Sequence, residues 1–185
     1  MTPLTATERA ALLGIARGAI LARLAGTTRE VPVPAAGALA EVRGAFVTVH
    51  VEGELRGCVG TFQATEPLAR TVARMAVSAA AEDPRFPPIG PADVPELTIS
   101  VSALGPRQPL VDPLAVRVGV DGLLVHRGFH RGALLPKVAV EHGWSAEEFL
   151  KHVCLKAGLP ARAWQEPGTE LETFQAEEFG EEPAP

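Results

Sequence analysis

Cysteine is scarce in this 185-residue sequence, which contains only Cys58 and Cys154. Two cysteines do not make the disulfide framework of a small secreted protein, so both thiols are expected to be reduced. No apolar run approaches the ~20 residues that a membrane-spanning helix needs. Glu8 and Arg9 stand where a secretion signal would have its apolar core. A cytoplasmic protein without membrane association is therefore expected.

Basic residues are also in deficit, because 17 lysines and arginines face 22 acidic residues and the formal net charge is -5. That balance argues against a general nucleic-acid binder, which needs a basic surface. The sequence has no phosphate-binding P-loop, no GxGxxG and no GxSxG nucleophile elbow. It has no CxxC and no HExxH, so neither a metal site nor a cofactor is predicted.

The hydrophobic pattern changes between helical and alternating periods along the chain, which predicts an α+β fold. Hairpins between consecutive strands favour a mainly antiparallel β-sheet flanked by helices. Capping boxes are expected at Thr5 with Glu8 and at Ser145 with Glu148. The predicted elements are helices 6–25, 65–83, 135–142 and 145–157, and strands 44–51, 55–62, 96–104, 116–120, 123–127 and 170–179.

The stretch Leu55-Arg56-Gly57-Cys58-Val59-Gly60-Thr61-Phe62 places a cysteine between two glycines in a predicted strand. Glycine weakens a strand, so Gly57 and Gly60 suggest close approach of another backbone, a ring or a ligand. In one interpretation Cys58 is a nucleophile or redox group and Arg56, on the same strand face, favours its thiolate. In the other, Cys58 is a small core residue, as free cysteines commonly are.

A second candidate is the glycine-flanked basic stretch Arg127-Gly128-Phe129-His130-Arg131-Gly132. Arg127, His130 and Arg131 could hold a small anionic ligand, because guanidinium groups bind carboxylates and phosphates well. The alternative is a solvated basic loop without a ligand. Cys154 shares an apolar helix stripe with Phe149, Leu150 and Val153 and is expected to lie in the core.

Four ordered motifs together resemble the AMMECR-type domain family. Leu55–Gly60 is similar to its LRGCIG signature, Asp83–Pro88 to its DPRF(P)P loop, Leu135–Trp144 to its LLPQVAVEHGW segment, and Cys154–Pro160 to its CLKAGLP. The resemblance implies an α+β fold with one larger and one smaller lobe, and an activity that is not established. It implies a single domain over residues 1–179, while the acidic stretch 180–185 is expected to be a disordered tail.

The resemblance also implies a shared gene neighbourhood, since prokaryotic relatives are often encoded beside a Memo-like protein and a radical SAM protein. One hypothesis is therefore a ligand- or partner-binding component acting in a pathway with those two proteins. The alternative is a thiol-dependent enzyme in which Cys58 reacts with support from Arg56. No complete catalytic constellation is visible in the sequence, which favours the first hypothesis.

Overall fold

The computed structural model describes residues 3–182. The chain forms two compact units, the larger from the described part of Met1–Leu104 and Glu177–Pro185, and the smaller from Gly105–Ala176. Two antiparallel sheets with flanking helices confirm the predicted α+β fold. The elements are α1 (Ala6–Leu24), α2 (Leu68–Ala81), α3 (Pro136–Glu141), α4 (Ala146–Lys156), β1 (Ala45–Val51), β2 (Glu54–Thr61), β3 (Leu97–Leu104), β4 (Gln108–Pro109), β5 (Gly122–Arg127), β6 (His130–Leu134), β7 (Glu170–Phe174) and β8 (Ala176–Gly180).

The larger unit is built on a sheet with the strand order β2-β1-β3-β8. Residues of β1 alternate between buried and half-buried positions, as expected for a strand with one face on a core. The buried face packs against α1 and α2, whose apolar stripes close one hydrophobic core. That core includes Leu12, Ala16, Ile20, Val47, Val49, Val72, Met75, Ala76, Ile99 and Val101.

Helices α1 and α4 begin with the predicted capping chemistry. Complete capping boxes are present at Thr5 with Glu8 and at Ser145 with Glu148. Helix α2 begins later than the predicted residue 65, because its N-cap is Pro67, and no side chain caps it. The N–H of Leu68 instead donates to the carbonyl of Glu41 at 2.8 Å. A backbone partner therefore replaces the side-chain cap.

The smaller unit has a sheet with the order β4-β7-β5-β6, and α3 and α4 help to close its own core. Phe149, Leu150 and Val153 of α4 are fully buried there. Cys154 lies in the same core with no exposed surface, which confirms the predicted packing role. Burial raises the pKa of the Cys154 thiol, because the thiolate would lose its solvation.

The prediction for the second hairpin is wrong in its pairing. The pattern predicts that residues 116–120 pair with 123–127 through Asp121-Gly122, but β5 pairs with β6, and Arg127 stands opposite His130. Gly128 makes that turn with φ +58°. The carboxylate of Asp121 instead accepts bonds from the N–H and guanidinium of Arg117, at 2.7–3.0 Å. The Asp-Gly signal therefore closes the loop before β5.

The predicted last strand, 170–179, is two strands that belong to different sheets. They separate at Gln175, whose carbonyl accepts the N–H of Gly105 at 2.8 Å. Strand β8 continues to Gly180, and the N–H of Glu181 donates to the carbonyl of Ile99 at 2.9 Å. Residues 183–185 of the predicted disordered tail lie outside the described residues. The predicted domain bounds, 1–179 with a tail over 180–185, stay a prediction.

Glu181 anchors the end of the described chain to the first sheet. Its carboxylate accepts two bonds from Arg17, at 2.8 and 2.6 Å, and one from the N–H of Ile99 at 2.9 Å. The hydrogen bond to Glu181 raises the pKa of Arg17. Charge-assisted, bidentate bonds of this kind are stronger than neutral ones.

We expect Glu181→Gln to lower the free energy of unfolding by about 1–2 kcal/mol, because it removes the charge from this bidentate pair. Urea unfolding at neutral pH measures the change. Glu182→Gln is the matched control, since Glu182 is exposed and its substitution should fall within ~0.5 kcal/mol of the parent. Equal effects of the two variants would contradict an anchoring role for Glu181.

Candidate functional site

The signature strand β2 lies at the edge of the larger unit's sheet and pairs only with β1 within that sheet. Cys58 stands opposite Thr48, and Gly60 opposite Phe46. The register shifts near His50, so that Leu55 and Gly57 have partners on β1 while Arg56 has none. Such a β-bulge redirects the side chain of its extra residue.

Gly57 is required by the approach of helix α2. A Cβ at this position would lie 2.0 Å from the carbonyl oxygen of Ala79 and 2.9 Å from its carbonyl carbon. Both contacts are to backbone, which cannot rotate away as a side chain can. The absence of a side chain at Gly57 therefore lets α2 pack directly on β2, and a neighbouring backbone is one of the three close approaches that the sequence suggested.

Gly60 has a comparable task on the opposite face of the strand. A Cβ there would lie 2.2 Å from two atoms of the Phe46 ring. The ring thus lies over Gly60, and it meets Phe62 edge-on with centroids 5.0 Å apart. Because an aromatic ring covers Gly60, this residue packs the sheet surface, and its predicted contact with a ligand stays a prediction.

The backbone of Cys58 is held by two residues of the proline-rich loop after α2. Its N–H donates to the Asp83 carboxylate at 2.8 Å, and its carbonyl accepts from the Arg85 guanidinium at 3.2 Å. Arg85 also forms a bidentate pair with Asp83, at 2.9 and 2.6 Å. We call Asp83, Arg85 and the Cys58 peptide groups the edge clamp, because they satisfy backbone groups that an edge strand leaves unpaired.

The edge clamp pairs a buried carboxylate with an exposed guanidinium, and this pairing shifts the pKa of both groups. The side chain of Asp83 is only 3% exposed, whereas that of Arg85 is 57% exposed. The hydrogen bond from Arg85 holds the pKa of Asp83 well below its usual range, and the bond from the Cys58 N–H acts in the same direction. The pKa of Arg85 is raised, chiefly by its hydrogen bond to Asp83.

The thiol of Cys58 is half-buried on the face that points away from the core. Its Sγ accepts a hydrogen bond from the Thr48 hydroxyl at 3.3 Å. Thr48 in turn stands opposite Ser100 on β3. Cys58, Thr48 and Ser100 therefore form one row across three strands, which we call the polar row. All three are half-buried, as is His50, two residues along β1.

The structure pairs Arg56 with Asp93, at 3.6 Å between Nη1 and Oδ1. Both side chains are 25% exposed. The cation that contacts the Cys58 backbone is instead Arg85, which sequence reasoning missed. Arg85 lies 27 positions away, and only its place in the second resembled motif hinted at a role. In the same loop Phe86 is half-buried, and Ile89, three residues further on, is buried.

The residues of the second candidate lie on the β5–β6 hairpin of the smaller unit. Arg127 pairs with Glu166, and His130 Nδ1 is 3.0 Å from the carbonyl oxygen of Ala157. Arg131 is exposed, and the side chain of Phe129 at the turn is fully exposed. Two of the three predicted anion-binding side chains therefore already have protein partners.

Residues 3–182 offer neither a metal centre nor a membrane span. In that part of the chain no group of three or more histidine, cysteine or acidic side chains is arranged to hold a metal ion. None of its helices, the longest of which is α1, is both long and apolar enough to cross a bilayer. The polar row and the edge clamp are thus the most developed chemical arrangement around the signature strand.

Known proteins resemble this chain over most of its length. The profile of the AMMECR1 family matches residues 13–179. A protein of Methanothermobacter thermautotrophicus is 44% identical and the alignment covers 97% of each chain. Protein MK0488 of Methanopyrus kandleri is 42% identical over 97% of this chain and 91% of its own. The crystal structure of the uncharacterised protein PH0010 from Pyrococcus horikoshii has 38% identity and a TM-score of 0.84, covering 93% of this chain and 90% of that one.

We expect Gly57→Ala to destabilise the protein by at least ~2 kcal/mol, because the new methyl group would press on the α2 backbone. Gly14→Ala in α1 is the control, since nothing lies within 4 Å of the Cβ that it would add. That exposed-helix substitution should stabilise by up to ~1 kcal/mol. Chemical unfolding of both variants measures the difference, and a neutral Gly57→Ala would contradict the contact with Ala79.

The edge clamp predicts a stability contribution that depends on pH. Because the folded-state pKa of Asp83 is lowered, the contribution is fully present above the unfolded-state value of ~3.9. It is lost as the pH falls from there towards the folded-state pKa. Asp83→Asn should therefore reduce stability at pH 7 and flatten its decline below about pH 4.

Urea unfolding between neutral and acidic pH tests this expectation. Asp112→Asn is the control, because Asp112 is exposed and its cap on Leu114 can be kept by an amide oxygen. An Asp83→Asn variant with the parent's stability at pH 7 would show that the clamp is not needed to hold β2.

Proposed function

The chain belongs to the AMMECR1 family, and on that premise we propose that it is a ligand- or partner-binding component whose binding surface is the polar row with its flanking residues. The observation that carries this proposal is that the residues of the signature motif differ in what they contact. Gly57 and Gly60 meet protein groups, and the Cys58 backbone is clamped. The half-buried thiol and its neighbouring hydroxyl groups are left for a ligand.

Rigidity supports binding at this surface. The polar row comes from three hydrogen-bonded strands, so its donors and acceptors keep their spacing before a ligand arrives. The edge clamp fixes the outer strand at the residue that carries the thiol. Preorganised groups bind more tightly than mobile ones, because less conformational entropy is lost on binding.

The chemistry of the surface favours a polar ligand or segment over an apolar one. Thr48 and Ser100 supply hydroxyl groups, which both donate and accept, and His50 adds an imidazole. Arg85 adds an exposed guanidinium at the edge, although Asp83 offsets much of its charge. A catalytic role would need an acid/base partner for Cys58, and the hydrogen bond to its sulfur comes from the neutral Thr48 hydroxyl.

We place this binding component in a pathway with a Memo-like protein and a radical SAM enzyme. The support for that placement is the gene neighbourhood that the family resemblance implies. The thiol-dependent enzyme is the competing function, and the observation in its favour is that Cys58 is half-buried and its carbonyl accepts a bond from the Arg85 guanidinium. The two functions differ in whether the sulfur atom itself is needed.

Gene replacement distinguishes the two. We expect Cys58→Ser to retain function, because a hydroxyl keeps the polar row, and the double variant Thr48→Val with Ser100→Val to lose it. Thr65→Val is the control, since Thr65 is exposed outside the strands. Loss of function in a normally folded Cys58→Ser would replace the binding component with the thiol enzyme. Full function in the double variant would remove the polar row as the site.

Accessibility of the row can be measured directly with iodoacetamide. Cys58 should be alkylated at least roughly tenfold faster than Cys154, whose thiol is buried and has a raised pKa. Mass spectrometry of the peptides from the folded protein gives both rates in one experiment. Equal, slow rates would show that the surface around Cys58 is closed to ligands.

A further inference from the structure

A separate groove runs between α1, α2 and the connector that follows α1, all within the larger unit. Its volume is about 450 Å³, which lies in the ~300–1,000 Å³ range of small-molecule sites. Arg23, Arg29, Arg70 and Arg74 line it. None of these arginines belongs to the signature strand, the polar row or the basic hairpin, and the sequence motifs did not single them out.

The arginines are only partly neutralised. Glu66 pairs with Arg74 at 2.7 Å, and Glu30 is the other acidic residue that lines the groove. Over residues 3–182, no acidic side chain lies within ion-pair distance of Arg23, Arg29 or Arg70. Four arginines against two glutamates leave the lining positive by two charges, on a chain whose net charge is -5. The groove is therefore a local basic site on an acidic protein.

Gly18 provides the space in which Arg29 lies. A Cβ at Gly18 would lie 2.3 Å from Arg29 Nη1 and 3.0 Å from its Cζ, and all three nearest atoms belong to that side chain. Gly18 is buried within α1. A mid-helix glycine costs helix stability, and here it lets a guanidinium pack against the helix surface at the groove.

Apart from Thr27 and Thr28, the remaining lining is a small apolar floor, from Ala19, Ala22, Val31, Ala73 and Val77. Such a floor accepts a flat or compact apolar group. Cations at its border then suit an anionic group attached to that body. Guanidinium groups match phosphate geometry with two parallel hydrogen bonds, which makes arginine the usual residue for binding phosphorylated molecules.

We propose that this groove binds a small phosphorylated molecule, with its phosphate held by Arg29 and Arg70 and its apolar body on the alanine and valine floor. The size of the groove favours a mononucleotide-sized ligand. A long polyanion is disfavoured, because the protein as a whole is acidic, with a net charge of -5. The proposal does not depend on the function assigned to the polar row.

Calorimetric titration of the full chain at about 0.15 M ionic strength tests the proposal with pyrophosphate and AMP as probes. Adenosine serves as the phosphate-free control. AMP and pyrophosphate should bind saturably, and adenosine should not. Arg29→Gln combined with Arg70→Gln should weaken AMP binding by roughly 30-fold, since two charge-assisted contacts are lost.

Lys151→Gln with Arg162→Gln is the matched control, because it removes the same charge from two residues of the smaller unit that do not line the groove. Its AMP affinity should stay within about twofold of the parent. An equal loss in the two double variants would overturn the proposal, since it would show only a response to net charge. Absence of saturable binding by either phosphorylated probe would overturn it as well.

A third variant moves the cation without removing it. Gly18→Ala should fold, because the clash involves the flexible end of Arg29, and the displaced guanidinium should weaken AMP binding by about fivefold. Gly14→Ala controls for the helix, having no neighbour within 4 Å of the added Cβ. Equal AMP affinities of these two variants would contradict the position assigned to Arg29.

Discussion

The structure around the signature strand depends on one buried carboxylate, Asp83. It accepts the N–H of Cys58 and a bidentate pair from Arg85, while Arg85 returns a bond to the Cys58 carbonyl. A carboxylate that is 3% exposed is tolerable only because these donors replace its water. The same bonds hold the outer edge of β2, which has no neighbouring strand on that side within the described sheet.

Each conspicuous residue of the signature has a physical task that involves another part of the chain. Gly57 admits the backbone of α2, Gly60 admits the ring of Phe46, and Arg56 reaches Asp93. The thiol of Cys58 has the weak bond from Thr48. A motif can therefore look catalytic because it contains unusual residues, although most of those residues are needed for packing. The proposed binding surface consists of what that packing leaves over.

Elements with strong local signals were predicted well. The capping boxes of α1 and α4 arise from contacts three residues apart, and the alternation along β1 reports its one-sided burial. The prediction for the second hairpin was wrong because the sequence offers two turn signals, Asp121-Gly122 and Gly128. Asp121 binds Arg117 within a loop, and Gly128 makes the hairpin turn. The prediction of a single last strand was wrong because no local sequence pattern marks the change from one sheet to the other at Gln175.

Local spacing in the sequence by itself determined the α+β class, the helix starts, the core position of Cys154 and the stretch worth examining, because those properties depend on near neighbours and burial periodicity. The tertiary structure alone decided which cation meets Cys58, what covers its glycines and where arginines from α1, the connector and α2 converge. These contacts join residues tens of positions apart. Their partners are selected by how helices pack on the sheet, and no short-range pattern records that choice.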